Sequence, residues 1–246
     1  MSVQKILISQ QQPTTASPYT NIAEKFEAKF DFKPFFKIEP LTSREFRSQR
    51  INILDHTAIV FSSRTTIDAF FQICEELRVK VPETMKYFCT TEAVANYLQK
   101  YIVYRKRKIF FGNGTPESII GLIGSKHKAE KFIIATVESS SKDSITKLFE
   151  SEKYDFETAV FVKPVSQDLK GVNLHDYNAI VLFNPADVKS LYENYPDFTQ
   201  QDIKFLSYGR SIVTAMNEAG LNIEISAPNA EAPSVAKALE IYLSKN

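Results

Sequence analysis

The chain has 246 residues, 43% apolar and 12% aromatic, and its 30 basic and 29 acidic side chains leave a net charge of +1. That much apolar material can bury about 70–75% of the unfolded surface, enough for one large domain or two of roughly 120 residues. The near-neutral balance excludes a long-range field toward nucleic acid or an anionic membrane; no apolar run approaches the ~18 residues of a membrane span.

The N-terminus lacks the apolar stretch and small-residue cleavage site of an export signal, so a cytoplasmic protein is expected. KILIS (Lys5 to Ser9) opens the chain as a strand. Pro18 to Phe30 predicts a helix, because Ile22, Phe26 and Phe30 recur at four-residue spacing. DFKPFFKIEPL (Asp31 to Leu41) is extended, AIVFS (Ala58 to Ser62) is a strand, and Thr65 or Thr66 caps a following helix through Leu77. KYFC (Lys86 to Cys89), IVYR (Ile102 to Arg105) and IFFG (Ile109 to Gly112) predict three more strands. Thr115 with Pro116 opens the helix PESIIGLIGSKH, KFIIAT (Lys131 to Thr136) is a strand, and Asp143 precedes the helix SITKLFESE. TAVFVKPV (Thr158 to Val165), NAIVLF (Asn178 to Phe183), IKFLSYG (Ile203 to Gly209) and the segment ending at Ala227 complete the strands. Many are apolar on successive residues, the pattern of strands covered on both faces, and their alternation with helices implies parallel sheets joined by right-handed crossovers. The fold class is α/β.

One segment occurs twice. IVFSSRTTIDAFF (Ile59 to Phe71) matches IVLFNPADVKSLY (Ile180 to Tyr192), and KYFCTTEAVANYL (Lys86 to Leu98) matches FLSYGRSIVTAMNEAGL (Phe205 to Leu221). Two halves of one architecture are expected to face each other across a cleft, where ligands bind. FDFKPFFKIEPL and ETAVFVKPVSQ are long proline-bearing extended runs and read as crossings between domains. Residues 1–36 and 165–246 then form a discontinuous α/β domain, and residues 37–164 an inserted one.

The breaks between strand and helix carry the expected binding chemistry. Helix N-termini present free N–H groups and the positive end of the dipole, which suit carboxylates. The breaks are Ser62 to Thr66, Cys89 to Thr91, Asn184 to Asp187 and Gly209 to Ser211, with Gln10 to Thr14 as a fifth. Ser63, Thr65, Thr90, Thr91 and Ser211 supply small hydroxyls there, and Arg64 and Arg210 can pair with carboxylates. Asp187 at such a break would repel an anion, and the hydroxyls are equally ordinary helix caps. Cys74 and Cys89 are expected to be structural. His56, His127 and His175 have no metal-ligand spacing and are expected to face solvent. FGNGTPES lacks both phosphate-loop and dinucleotide signatures and reads as a turn, and YRKRKIFFG (Tyr104 to Gly112) as a solvated edge.

In order along the chain, ILISQQQP, VFSSRTTIDAFF, LFNPADV, YGRSIVTAM and AGLNIEISAPNAEAPSVAKALEIYL resemble the motifs of the uroporphyrinogen-III synthase family. The resemblance implies two flavodoxin-like parallel-sheet lobes joined by a two-stranded β-ladder. It also implies a cofactor-free lyase, without metal or nucleic acid, acting as a monomer on hydroxymethylbilane, a linear tetrapyrrole with eight carboxylates. The substrate would close to a macrocycle with inversion of ring D and loss of water. The substrate-binding positions are then Gln10, Ser63, Arg64, Thr65, Thr90, Thr91, Asn184, Pro185, Ala186, Gly209, Arg210 and Ser211, with no assignable catalytic side chain. The chain departs from the family pattern at Gln10 (Arg), Val162 (Tyr), Asn184 and Ala186 (Ser), Cys89 (Gly), Glu92 (Thr) and Arg210 to Ile212 (Pro-Thr-Thr). These departures imply either substrate held mainly by backbone or reduced activity; the rival reading is a catalytically decayed two-lobe binder of an anionic metabolite. A third reading, a nucleic-acid module built on Lys106, Arg107 and Lys108, is the weakest.

Overall fold

The computed structural model describes residues 3–15, 17–138 and 144–245. Its contacts divide the chain into two compact units, Met1–Lys37 with Val165–Asn246 (unit 1) and Ile38–Pro164 (unit 2). The chain begins with β1 (Lys5–Ile8), α1 (Pro18–Phe26), β2 (Lys29–Phe32) and β3 (Phe36–Pro40). Unit 2 continues with α2 (Ser43–Ser48), β4 (Ala58–Phe61), α3 (Arg64–Glu76), β5 (Lys86–Cys89), α4 (Glu92–Tyr97) and β6 (Ile109–Phe111). It closes with α5 (Pro116–Ile123), β7 (Lys131–Val137), α6 (Ser144–Ser151) and the long β8 (Asp155–Ser166). Back in unit 1 come β9 (Ala179–Leu182), α7 (Pro185–Asn194), β10 (Lys204–Tyr208), α8 (Arg210–Glu218), β11 (Ile223–Ala227) and α9 (Val235–Lys245).

Unit 1 is a parallel sheet in the order β11-β10-β9-β1-β2. The strands read apolar on every residue because both faces are covered. Ile6, Ile8, Val181 and Leu206 pack with Ile22 of α1 and Leu239 and Tyr242 of α9, while Leu7, Ile180, Leu182 and Phe205 pack with Leu191 of α7 and Ile212 and Met216 of α8. The chain moves from β1 to β2 on one side and from β9 through β10 to β11 on the other, so the winding reverses between β1 and β9.

The sheet of unit 2 runs β3-β8-β7-β4-β5-β6, parallel from β8 to β6, and its winding reverses between β4 and β7. One face joins Ile59, Phe61 and Ile133 to Phe46, Ile67, Phe70 and Leu98; the other joins Val60, Phe88, Phe132 and Ile134 to Ile119, Ile123 and Phe149. β3 lies at the edge beside β8. The duplicated segments are β4–α3–β5–α4 and β9–α7–β10–α8, the same supersecondary unit in each half.

Three local expectations are corrected. The first helix ends at Phe26 instead of Phe30: Glu27 takes a left-handed conformation (φ 49°), and Lys29–Phe32 pairs with β1. The spacing of Phe26 and Phe30 was coincidental, since Phe30 and Phe32 instead meet Tyr19 at 5.9 and 5.5 Å between ring centres. Ile102 to Arg105 is not a strand; β6 already occupies the edge beside β5, and Ile102 and Tyr104 pack as irregular chain on the core. The cap of α3 is Ser63, whose Oγ accepts the Thr66 N–H at 3.2 Å; Thr66 is itself buried. The expected cap Asp143 lies outside the described residues. Among those residues, no helix is long and apolar enough to cross a membrane.

Candidate functional site

In unit 1 the parallel register puts the C-terminal ends of β1, β9 and β10 side by side, so Gln10, Asn184 to Ala186 and Gly209 to Ser211 share one sheet edge. That edge contains the reversal between β1 and β9, the position where open α/β sheets bind ligands. The two helix starts there differ. At α7 the amides expected to be free are engaged: Asn184 Oδ1 accepts the Ala186 N–H (3.0 Å), the Asp187 carboxylate accepts those of Phe183 (2.8 Å) and Asn184 (3.0 Å), and Pro185 has none. At α8 no side chain caps the N-terminus. Its first residues, Arg210 and Ser211, are exposed, and Arg210 forms no ion pair among the described residues. This start is the one suited to an anion.

Gly209 makes that start possible. Its φ of 111° with ψ of 156° belongs to a region that side chains exclude, and its N–H donates to the Ala227 carbonyl at 2.7 Å. Gly209→Ala is expected to lower the unfolding free energy by about 1–3 kcal/mol, the strain of such a conformation, measured by urea denaturation.

In unit 2 the ends of β4, β5 and β6 are likewise adjacent. Ser63, Arg64 and Thr65 open α3. Thr91 caps α4 through the Val94 N–H (3.3 Å), and Thr90 Oγ1 donates to the Ser62 carbonyl (3.3 Å). Arg64 has no carboxylate partner among the described residues; its guanidinium stands 5.5 Å from the Tyr97 ring centre. Tyr97 belongs to a polar cluster absent from the expectations: its hydroxyl, the Lys100 ammonium and the Tyr101 hydroxyl all donate to Asp68. Burial acts to raise the Asp68 carboxyl, but these three donors hold it below its usual value.

The FGNGTPES turn is a turn, as expected, and it braces Thr90. The Gly112 and Gly114 N–H groups donate to the Cys89 and Thr90 carbonyls (2.9 and 2.8 Å). A Cβ on Gly112 would lie 2.0 Å from Ser118 Oγ and 3.3 Å from the Thr90 carbonyl oxygen, so a side chain there would force Ser118 to shift. His56 and His127 correct the solvent-facing expectation, while His175 is exposed as expected: His56 is buried with Nε2 3.1 Å from the Glu157 carboxylate, and His127 is buried against Phe110. A ring at a sheet end can satisfy one nitrogen locally and bury the rest. Burial pushes the Cys74 and Cys89 thiols up to about 12, leaving them unreactive. Concavities of 410 and 290 Å³ in unit 1, and 180 Å³ in unit 2, are lined elsewhere, around Ser226 and Asn229, around Tyr195 and Phe198, and around Tyr87 and Ile102. None of these three concavities is lined by the candidate residues.

The family model described as uroporphyrinogen-III synthase HemD matches residues 17–237 of the chain. The fold is similar to that of uroporphyrinogen-III synthetase from Helicobacter pylori, at 16% identity and a TM-score of 0.58, over 99% of this chain and 100% of the other. It is also similar to a mutant uroporphyrinogen III synthase from Thermus thermophilus, at 12% identity and a TM-score of 0.50, over 99% and 98%. No curated protein sequence is significantly similar to the chain.

Proposed function

The chain belongs to the uroporphyrinogen-III synthase family, enzymes of heme biosynthesis whose substrate is a tetrapyrrole, and from that premise we propose how it performs uroporphyrinogen-III synthesis. It is a cofactor-free lyase that takes hydroxymethylbilane. Pyrroles are electron-rich enough to expel the terminal hydroxyl as water with little covalent help. The resulting cationic carbon then bonds to the substituted position of ring D, giving a spiro intermediate; the older methylene bond to that position breaks, and the freed methylene bonds to the unsubstituted α-carbon of ring D, which loses its proton to give the inverted macrocycle. The protein's task is geometric, since unguided closure gives the symmetric isomer, and such orientation is worth roughly 7–11 kcal/mol.

The observation that carries this reading is the uncapped start of α8, with Gly209, Arg210 and Ser211 open at the edge where unit 1 reverses its winding. It supports carboxylate recognition by amides and a guanidinium. Ser63, Arg64, Thr65, Thr90 and Thr91 serve the same purpose in unit 2, and Gln10, Asn184, Pro185 and Ala186 complete the edge of unit 1. At α7 the recognition falls to side chains and shape, because its amides are taken.

Domain 1 is residues 1–36 and 165–246, and domain 2 is residues 37–164, two flavodoxin-like lobes on a β-ladder. The order of unit 1, 2-1-3-4-5 when its strands are counted along the chain, supports that description, while the parallel strands of unit 2 run 3-2-1-4-5. The Leu41 N–H bond to Phe161 and the Gln167 N–H bond to Phe35, both 2.8 Å, support the ladder.

Purified, chelator-treated protein is expected to turn hydroxymethylbilane over at an undiminished rate. A rate lost on chelation and restored by a metal ion would overturn the cofactor-free reading. The non-catalytic binder gains nothing from the family match.

A further inference from the structure

Asp187, the third residue of α7, is 0% exposed. Its Oδ2 accepts three hydrogen bonds, from the Ser9 hydroxyl at 2.9 Å and from the Phe183 and Asn184 N–H groups at 2.8 and 3.0 Å. Its Oδ1 is buried with no hydrogen-bond partner. A helix cap needs only the Asn184 bond. Ser9 comes from the residue directly after β1, Phe183 and Asn184 from those directly after β9, and these are the two strands between which the sheet of unit 1 reverses. One carboxylate thus ties together two turns that are 178 residues apart in the chain.

We propose that Asp187 is a positioning residue: its carboxylate locks the β1 turn, which carries Gln10, to the β9 turn, which carries Asn184 and Pro185, and so sets how this edge meets substrate. The proposal rests on the reading of these turns as substrate-binding. The anion is held inside the protein, out of reach of the substrate carboxylates that it would otherwise repel.

The lock is sensitive to acid. Burial pushes the Asp187 carboxyl up to about 6, against the downward pull of the Phe183, Ser9 and Asn184 bonds. Among the described residues, no charged neighbour offsets the burial. Lys189 of α7 reaches Glu193, Lys5 lies at the far end of β1, Lys204 of β10 pairs with Glu224, and Arg210 of α8 is exposed. A proton adds to Oδ1, because Oδ2 is already occupied by three donors; Oδ2 then becomes a carbonyl oxygen and holds its donors less strongly. The group is charged above pH 6 and neutral below, so binding should weaken as pH falls through that value.

The test is steady-state kinetics on the full-length chain between pH 5 and 8. Asp187→Asn is expected to raise KM about tenfold with kcat nearly unchanged, the loss of one charge-assisted bond network, and to abolish the parent's rise in KM near pH 6. Ser9→Ala, which leaves both the carboxyl and the helix cap in place, is expected to raise KM severalfold and to keep the acid limb. Unchanged KM in Ser9→Ala, or an acid limb retained in Asp187→Asn, overturns the positioning role, and the first result suffices if Asp187→Asn does not fold. Arg210→Ala separates the two readings: if it too leaves KM unchanged, the edge does not bind substrate, and if it alone raises KM, only the lock fails.

Discussion

Replacing Phe161 with alanine is expected to lower the unfolding free energy by about 3–5 kcal/mol, the range for deleting a buried aromatic ring. Phe161 is 0% exposed in β8, the longest strand of unit 2. Its ring stacks on Phe46 at 5.0 Å and meets the edge of Phe70 at 5.5 Å, so its loss opens a cavity among rigid rings that cannot collapse to fill it. Such an amount is a large share of the 5–15 kcal/mol that holds a typical domain folded. Phe111, 39% exposed on edge strand β6, is the contrast: its alanine variant should lose under about 1 kcal/mol. Denaturant midpoints at constant slope measure both. A midpoint for the Phe161 variant within error of the parent would contradict the packing described for unit 2.

The largest functional effect is expected from the pair Arg64→Ala and Arg210→Ala. Both arginines are exposed and neither has a carboxylate partner among the described residues, whereas cations such as Lys86 and Lys163 are paired with Glu130 and Glu45. Because each is exposed, solvent screening holds its contribution to the low end for a charge-assisted bond, roughly tenfold in kcat/KM. Arg64 belongs to unit 2 and Arg210 to unit 1. If the two substitutions act independently, the losses multiply to about 100-fold in the double variant. They should shrink as ionic strength rises. Stability should scarcely change, since Arg64 gives up only its contact with Tyr97. A single variant that keeps the parent kcat/KM would remove its arginine from substrate binding.

How much of this was legible in the sequence follows from where the information lies. Runs such as AIVF and AIVL announce parallel strands because burial on both faces makes every position apolar, and the α/β class with parallel sheets follows from them. The family was legible from short ordered motifs spread over nearly the whole chain, and the family model matches residues 17–237 of it. Tertiary pairing was not legible. Phe30 fits a helix until Tyr19 and β1 compete for it, and IVYR fits a strand until the neighbouring edge is taken.

The strand-to-helix breaks were legible as positions, but their hydrogen bonding was not. The spacing that put Asn184 and Asp187 at a helix start was read as offering free amides, but the same two side chains consume them. Nothing local marks Ser9 as their partner. In the same way Asp68, Tyr97, Lys100 and Tyr101 form one cluster only once α3 and the segment after α4 are packed together.

Burial of the Asp187 charge also leaves a thermodynamic trace. A carboxyl that titrates near 6 instead of at its ordinary 3.8 binds its proton more tightly in the folded chain than in the unfolded one. Folded stability should therefore fall as pH rises from about 4 to 6, by roughly 3 kcal/mol from this group, and stay level above that. A residue that weakens the fold at neutral pH is better explained by its hold on the two turns proposed to bind substrate than by structure alone.

Chromatographic separation of the macrocycles formed from hydroxymethylbilane tests the account most directly. The purified chain should yield the type III isomer, with ring D inverted, in excess over the type I isomer of the unguided reaction. Type I product alone, at the rate seen without protein, would contradict it.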